Sequence, residues 1–408
     1  MSVTARVALA MALVILVRTA PARAQAADDH QLIQDLVARI QALEAEVKAL
    51  KDAQARPAAP QPAAAATPQA ASAAAPPEMS GMAVGTGPTL QIRGFADLNY
   101  GRTVEPVTSS FALGQLDLFM SSTLSDTTSV VGELVTEAND ANVFGVDLER
   151  LLLQYKPNDY LNIGVGRYHT SIGYYNTAYH HGTWFQTATG RPFLFEFEDE
   201  GGPLPVHGVG VTVGGRIPSG KLGLRYVAEI ANGRTSHSPL AEPVQNVVDE
   251  NNGKAFNVAL LAQPDTLAGF QAGMSIYRDR LQPDGLPRIR QTIFSGHVVY
   301  HGHGLELLNE GVAIRHTPAG GGAVTTPAFY SQIAQQIARK ASPYFRYQYF
   351  NAPDRESIFG DIGLMKGPSL GLRYDFDSYA ALKVQYQRTV RRHADPTSGF
   401  ATQLAFTF

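Results

Sequence analysis

The stretch TLQIRGFADLNYG, residues 89–101, alternates without a break. Leu90, Ile92, Gly94, Ala96, Leu98 and Tyr100 stand on one side, and Gln91, Arg93, Phe95, Asp97 and Asn99 on the other. A side-chain period of two belongs to a β-strand, and here one face is apolar while the other carries charge. The same pattern recurs downstream: Leu222, Leu224, Tyr226, Ala228 and Ile230 oppose Lys221, Gly223, Arg225 and Glu229, and Leu382, Val384 and Tyr386 oppose Lys383, Gln385 and Gln387. The chain closes on GFATQLAFTF, residues 399–408, with Phe400, Leu404, Phe406 and Phe408 on one face.

Working outward, sixteen such strands are expected, at about 89–101, 111–124, 128–138, 145–156, 160–168, 206–217, 220–231, 253–264, 268–279, 289–300, 304–315, 327–339, 342–351, 368–376, 379–390 and 400–408. Every second connection is a tight turn, as in Lys156-Pro157-Asn158-Asp159 and Ile217-Pro218-Ser219-Gly220, and the alternate ones are longer, the third spanning about 169–205. Short connections on one rim and long ones on the other describe a membrane β-barrel, in which every backbone polar group is paired and no sheet edge is left. Tyr100, Tyr155, Tyr160, Tyr226, Tyr374 and Phe408 fall near strand ends, where amphipathic rings sit at a lipid–water boundary. The fold class expected is a 16-stranded antiparallel transmembrane β-barrel over residues 89–408.

Composition agrees and excludes other classes. Only 17% of the 408 residues are charged, against roughly 25% in soluble domains. With no Cys there is no disulfide framework, thiol nucleophile or thiolate metal site, and Lys+Arg (33) below Asp+Glu (36) gives no basic footprint for nucleic acid. Three segments precede the barrel. Residues 1–26 read as a signal peptide: Arg6, an apolar run over 7–17 too short to span a bilayer, then small residues around Ala22, Ala24 and Ala26. Residues 28–54 carry a heptad seam, with Ile33, Ile40 and Val47 at a and Leu36, Leu43 and Leu50 at d, which predicts a coiled coil leaning towards two strands. Residues 55–88 are largely Ala and Pro and predict an extended linker.

Three features carry a resemblance: the terminal aromatic strand, the sixteen-strand spacing with its long third loop, and the order of signal peptide, coiled coil, linker and barrel. In these the chain resembles bacterial outer-membrane trimeric porins, most of all those with an N-terminal periplasmic coiled coil (the DcaP type), and more loosely the phosphate-selective porins. The resemblance implies a homotrimer in the outer membrane, with the coiled coil in the periplasm and peptidoglycan as a candidate partner. It also implies passive diffusion of small polar solutes, anions among them, through a barrel narrowed by its third loop. No cofactor and no metal are expected, and the chain is expected not to be an enzyme, since no nucleophile elbow or phosphate loop is present. A structural tether or adhesin, and a barrel-embedded enzyme, are the alternatives.

By the alternation, Arg93, Asp97, Asp117, Glu133, Arg225, Arg346, Arg373 and Lys383 face the lumen, with Arg150, Arg216 and Glu229. The third loop holds Trp184, the one Trp of the chain, with Tyr174, Tyr175, Tyr179, His180, His181, Arg191, Glu196, Glu198, Asp199 and Glu200. So many aromatic rings call for a surface to pack on, and the barrel interior is the one available. The expected arrangement is an acidic edge, Glu196, Glu198, Asp199 and Glu200, facing Arg93, Arg346, Arg373 and Lys383 across an eyelet. His169, His180, His181 and His207 lack the spacing of a metal shell. The run Asn246, Asp249, Glu250, Asn251 and Asn252 reads as ordinary turn chemistry.

Overall fold

A computed structural model describes residues 88–103, 108–138, 143–179, 182–196, 202–234, 247–283, 285–337, 339–392 and 394–408. The expected signal peptide, coiled coil and, Pro88 apart, linker lie outside the described residues, as do His180, His181, Glu198, Asp199 and Glu200.

Sixteen strands run β1 (Thr89–Thr103), β2 (Thr108–Thr123), β3 (Thr128–Ala138), β4 (Phe144–Asn158), β5 (Leu161–His169), β6 (His207–Arg216), β7 (Leu224–Ala231) and β8 (Ala255–Ala262). They continue as β9 (Phe270–Leu281), β10 (Ile289–Gly302), β11 (Leu305–Pro318), β12 (Val324–Gln335), β13 (Ala341–Asn351), β14 (Leu364–Asp375), β15 (Ala380–Arg391) and β16 (Thr397–Thr407). Each pairs antiparallel with its neighbours in sequence, and β1 closes on β16. Phe408 ends the seam by exchanging two backbone hydrogen bonds with Gly94, at 2.9 and 3.0 Å.

Alternation sorts the side chains as the sequence reading requires. Leu90, Ile92, Leu151, Leu153, Phe256, Val258 and Leu260 project outward and are exposed, while Asp97, Glu133, Glu229, Asn257, Arg346 and Lys383 are buried. That is a soluble protein turned inside out. An outer belt of this kind gains roughly 1.5–3 kcal/mol per large apolar side chain only where something other than water covers it. No helix among the described residues is long and apolar enough to cross a membrane.

Two local departures have physical causes. Strand β7 begins at Leu224 instead of about residue 220, because Gly220–Leu222 wind a 3-10 turn ended by Gly223 at φ +58. A Cβ on Gly223 would lie 2.1 Å from the Gln263 carbonyl oxygen, so only Gly makes this approach. Strand β4 carries a bulge. Glu133 pairs with Arg150 and Leu134 with Leu148, which leaves Glu149 as the extra residue. Buried, it meets His207 Nε2 at 2.8 Å and Arg167 at 3.6 Å.

Candidate functional site

The segment between β5 and β6 turns into the barrel, and its neck is closed by local bonds. Thr170 donates its N–H to Val206 (2.9 Å) and its hydroxyl to Pro205 (2.6 Å), and the Asn176 amide reaches the carbonyls of Thr170 and Val206. Gly173, at φ +79, then reverses the chain, and a Cβ there would strike the Phe195 ring and the Glu310 carboxylate. A one-turn helix follows, α1 (Tyr175–Ala178), without a side-chain cap of its own. Glu310 on β11 supplies the acceptor instead. Its carboxylate takes the N–H groups of Tyr174 (2.5 Å) and Tyr175 (3.0 Å) and the hydroxyl of Tyr330 (2.5 Å), which satisfies donors a helix start leaves orphaned.

Four residues earlier along β11, Glu306 holds the middle of the loop, accepting from the Tyr179 and Thr187 hydroxyls at 3.2 and 3.0 Å and from Gln332 at 2.5 Å. Gln332 in turn accepts from Arg346 Nε (2.7 Å), whose Nη1 donates to the Gly190 carbonyl at 2.8 Å. Arg373 donates to the carbonyls of Trp184 (2.6 Å) and Gln186 (3.0 Å) and lies over the Trp184 ring, 4.9 Å from its centroid. The Lys383 ammonium reaches the carbonyls of Thr183 (2.5 Å) and Ala188 (3.2 Å). Beneath these polar ties, Ile172, Tyr175, Tyr179, Leu194, Phe195 and Leu204 pack into one apolar cluster with inward residues of β9–β13. Tyr175 stacks on Phe195, and Tyr330 meets both rings edge-on.

Among the described residues Arg346, Arg373 and Lys383 direct donors to the loop's own backbone, while Arg346 also shares a cavity with Glu196. The charge is consumed because a loop laid on a wall exposes carbonyls that no strand satisfies, and buried carbonyls need donors. Arg191 is also engaged, donating to the carbonyls of Phe195 (2.5 Å) and Tyr179 (3.1 Å). Glu196 is partly buried, and burial pushes its carboxyl up to about 7 against the opposing pull of Arg191, Arg346 and Arg391. Arg93 is exposed on the lumenal face of β1.

Facing the loop, Asp97 accepts from Asn99, the Gln115 N–H and Gln403. Glu133 takes Arg150 Nε at 2.5 Å beside the buried Asp117, and the Arg150 guanidinium lies over Phe119. Between loop and wall lies a cavity of about 480 Å³ lined by Asp97, Gln115, Glu137, Arg191, Glu196 and Gln403. His169 and His207 sit with ring centroids 5.0 Å apart, beside Glu149. Asp249 and Asn251 cap turn N–H groups, as turn chemistry requires.

Sequence reasoning did not find Glu306, Glu310, Tyr330 or Gln332, which hold the loop from the wall. A signal was present. The inward row of β11 runs Glu306, Leu308, Glu310, Val312, Ile314, so two acids interrupt an otherwise apolar face that points into a lumen.

A closed barrel of sixteen strands with an apolar outside, a polar inside and an inward third loop defines the porin-like class of fold. Solved structures agree. The chain is similar to an anion-selective porin from Comamonas acidovorans (12% identity, TM-score 0.56, covering 79% of this chain and 100% of the other). It is similar to the outer-membrane channel DcaP of Acinetobacter baumannii (9% identity, TM-score 0.56, 81% and 100%) and to the trimer form of OmpT, an outer-membrane protein of Vibrio cholerae (11% identity, TM-score 0.52, 79% and 100%). No family model matches the chain, and no curated protein matches it by sequence. One expectation is corrected here. The likeness extends equally to OmpT, described as an outer-membrane protein and not as a channel, so the exclusion of enzymatic activity drawn from the sequence does not stand.

Proposed function

We propose that the chain is an outer-membrane channel through which small hydrophilic solutes, anions among them, diffuse down their gradients. The observation that carries this reading is the pinned third loop: Glu306, Glu310, Arg346, Arg373 and Lys383 hold it against one wall, which leaves the opposite wall polar and open to the cavity beside Asp97 and Glu137. The loop narrows the passage. Glu196, with Glu198, Asp199 and Glu200 following, forms an acidic edge tempered by Arg191, and Trp184, His180 and His181 belong to the same loop. Asp97, Asp117, Glu133, Arg225 and Arg93 line the passage. In this reading residues 1–26 direct export, 28–54 form a coiled coil in the periplasm that reaches towards peptidoglycan, 55–88 tether it, and three copies assemble. Support comes from the DcaP channel and the anion-selective porin, which share the fold, and from OmpT, whose structure is a trimer form.

Planar-bilayer conductance of the purified protein, with reversal potential in a salt gradient, tests the proposal. Closure in steps of three with a defined ion preference is expected. A silent bilayer from a correctly folded barrel would overturn it.

A further inference from the structure

The wall beside the neck of the third loop is not neutral. Strands β4–β7 present Lys156, Arg216 and Arg225 to the lumen near the rim of short turns, with Arg150 above them. Arg216 and Arg225 are direct cross-strand partners on the same face. Like charges placed opposite one another destabilise a strand pair unless something lies between them to compensate. Internal compensation is thin. Arg216 approaches Asp159 only to 3.9 Å, Lys156 takes the same carboxylate at 3.2 Å, and Arg225 has no hydrogen bond or ion pair among the described residues. All of these side chains reach water, so none is held by packing. The excess of positive charge is felt locally: Lys156, with Arg216 and Arg225 further off, holds the Asp159 carboxyl below its usual range.

Arg216 and Arg225 also line two adjoining cavities, one of about 350 Å³ shared with Lys156, Asn162 and Glu229, the other of about 290 Å³ shared with Gln263 and Asp265. On the opposite wall the cations Arg346, Arg373 and Lys383 are bound to loop carbonyls. Arg216 and Arg225, by contrast, stand exposed on adjacent strands where a solute can reach both.

We propose that Arg216, Arg225 and Lys156 form a binding site for a small oxyanion, a phosphate or a carboxylate, at the short-turn end of the lumen. Two guanidinium forks on adjacent strands suit an acceptor with two or more oxygens, each offering paired N–H donors. The site is separate from the acidic edge of the third loop, and it rests on the reading of the lumen as a water-filled passage. Its role is to draw anionic solutes to the exit and hold them briefly.

Inorganic phosphate is the probe. Calorimetric titration of the folded full-length protein in detergent should show saturable binding that weakens with added salt. Arg225→Gln and the double change R216Q/R225Q should each raise the half-saturating concentration, by about tenfold for every guanidinium lost. Lys221→Gln, on the neighbouring turn, should leave it unchanged. Heat-modifiable gel mobility confirms that each variant is a closed barrel. In bilayers, phosphate on the short-turn side should reduce chloride conductance saturably in wild type and not in the double variant. Absence of binding in wild type, or equal binding in the double variant, overturns the site. Binding that persists with a silent bilayer upholds the site and strikes the channel reading alone.

Discussion

On the proposed channel reading, Glu196 is where a single proton alters the passage. Burial raises its carboxyl to about 7, above the ordinary 4.5, so the folded chain holds a proton between those values that the unfolded chain has released. Stability of the docked loop is therefore greatest below about 4.5 and declines as pH rises through 7. Selectivity follows the same proton. As pH falls from about 8 to about 6 the loop edge loses negative charge, and the reversal potential in a salt gradient should move towards anions. Glu196→Gln should fix the preference at its acid value and flatten the profile; a variant that titrates like wild type would exclude Glu196 as the group. Glu310 has a different task. It gathers three donors from two elements in an apolar surround, and removing such an acceptor leaves buried N–H groups unsatisfied. Glu310→Ala should loosen the loop by about 2–3 kcal/mol. Single-channel conductance should rise, and protease should cut within residues 170–206, while the barrel keeps its heat-modifiable mobility. An uncut loop with unchanged conductance would show that the apolar cluster alone suffices.

At the scale of elements, strands were legible because their two faces meet opposite solvents, and a period of two survives any loop length between them. The same signal is blind to an inserted residue. Nothing in the run Asp147-Leu148-Glu149-Arg150-Leu151 announces that Glu149 is the extra one, because the bulge is fixed by the register of β3 alongside. The third loop was legible in part. Its aromatic content predicted packing, yet the partners sit more than a hundred residues away, and which wall receives the loop depends on where the strands lie around the barrel. On β10 and β11 the inward residues Ile289, Ile293, Val299, Leu308 and Val312 are as apolar as the outward Phe294 and Val298, and a wall apolar on both faces is a covered wall. The segment between β13 and β14 is pinned in a comparable way, by Glu356 on its far side. Burial alone would raise this carboxyl, but the His316 contact and the N–H groups of Ile358 and Phe359 outweigh it and hold it below 4.5. A lowered carboxyl contributes stability above the unfolded value that is lost as pH falls through the folded one. Protection of residues 352–363 against hydrogen exchange, taken relative to the unstructured rate at each pH, should therefore be high at neutral pH and fall as the pH drops below 4.5, and Glu356→Gln should lower it already at pH 7.

For the whole molecule the decisive contact is the seam, since a barrel one pair short of closure is an open sheet with two edges in lipid. Here β1 and β16, some three hundred residues apart, meet through nine aligned residue pairs and then through Gly94 and Phe408. Gly94 is outward-facing and has no side chain, and the Phe408 ring occupies that space: a Cβ on Gly94 would lie 2.3 Å from the ring. The Thr407 hydroxyl donates to the Gly94 carbonyl at 3.0 Å, so ring and hydroxyl clamp the same residue from two sides. Gly101, on the same strand, has open space where a Cβ would go, and it separates the local cost of losing a glycine from the cost of displacing the clamp. Gly94→Val should drive the ring out and lower the stability of the barrel refolded into vesicles by about 1–3 kcal/mol, the scale of overpacking a filled site. Gly101→Val should fall within about 0.5 kcal/mol of wild type, since surface changes away from packed features cost little. Phe408→Ala keeps the two backbone bonds and loses the ring, so it should fall between them. Urea midpoints of the three variants decide the matter: equal midpoints for Gly94→Val and Gly101→Val would mean that closure is carried by the strand ladder alone, and that the terminal aromatic serves some step other than holding the finished seam.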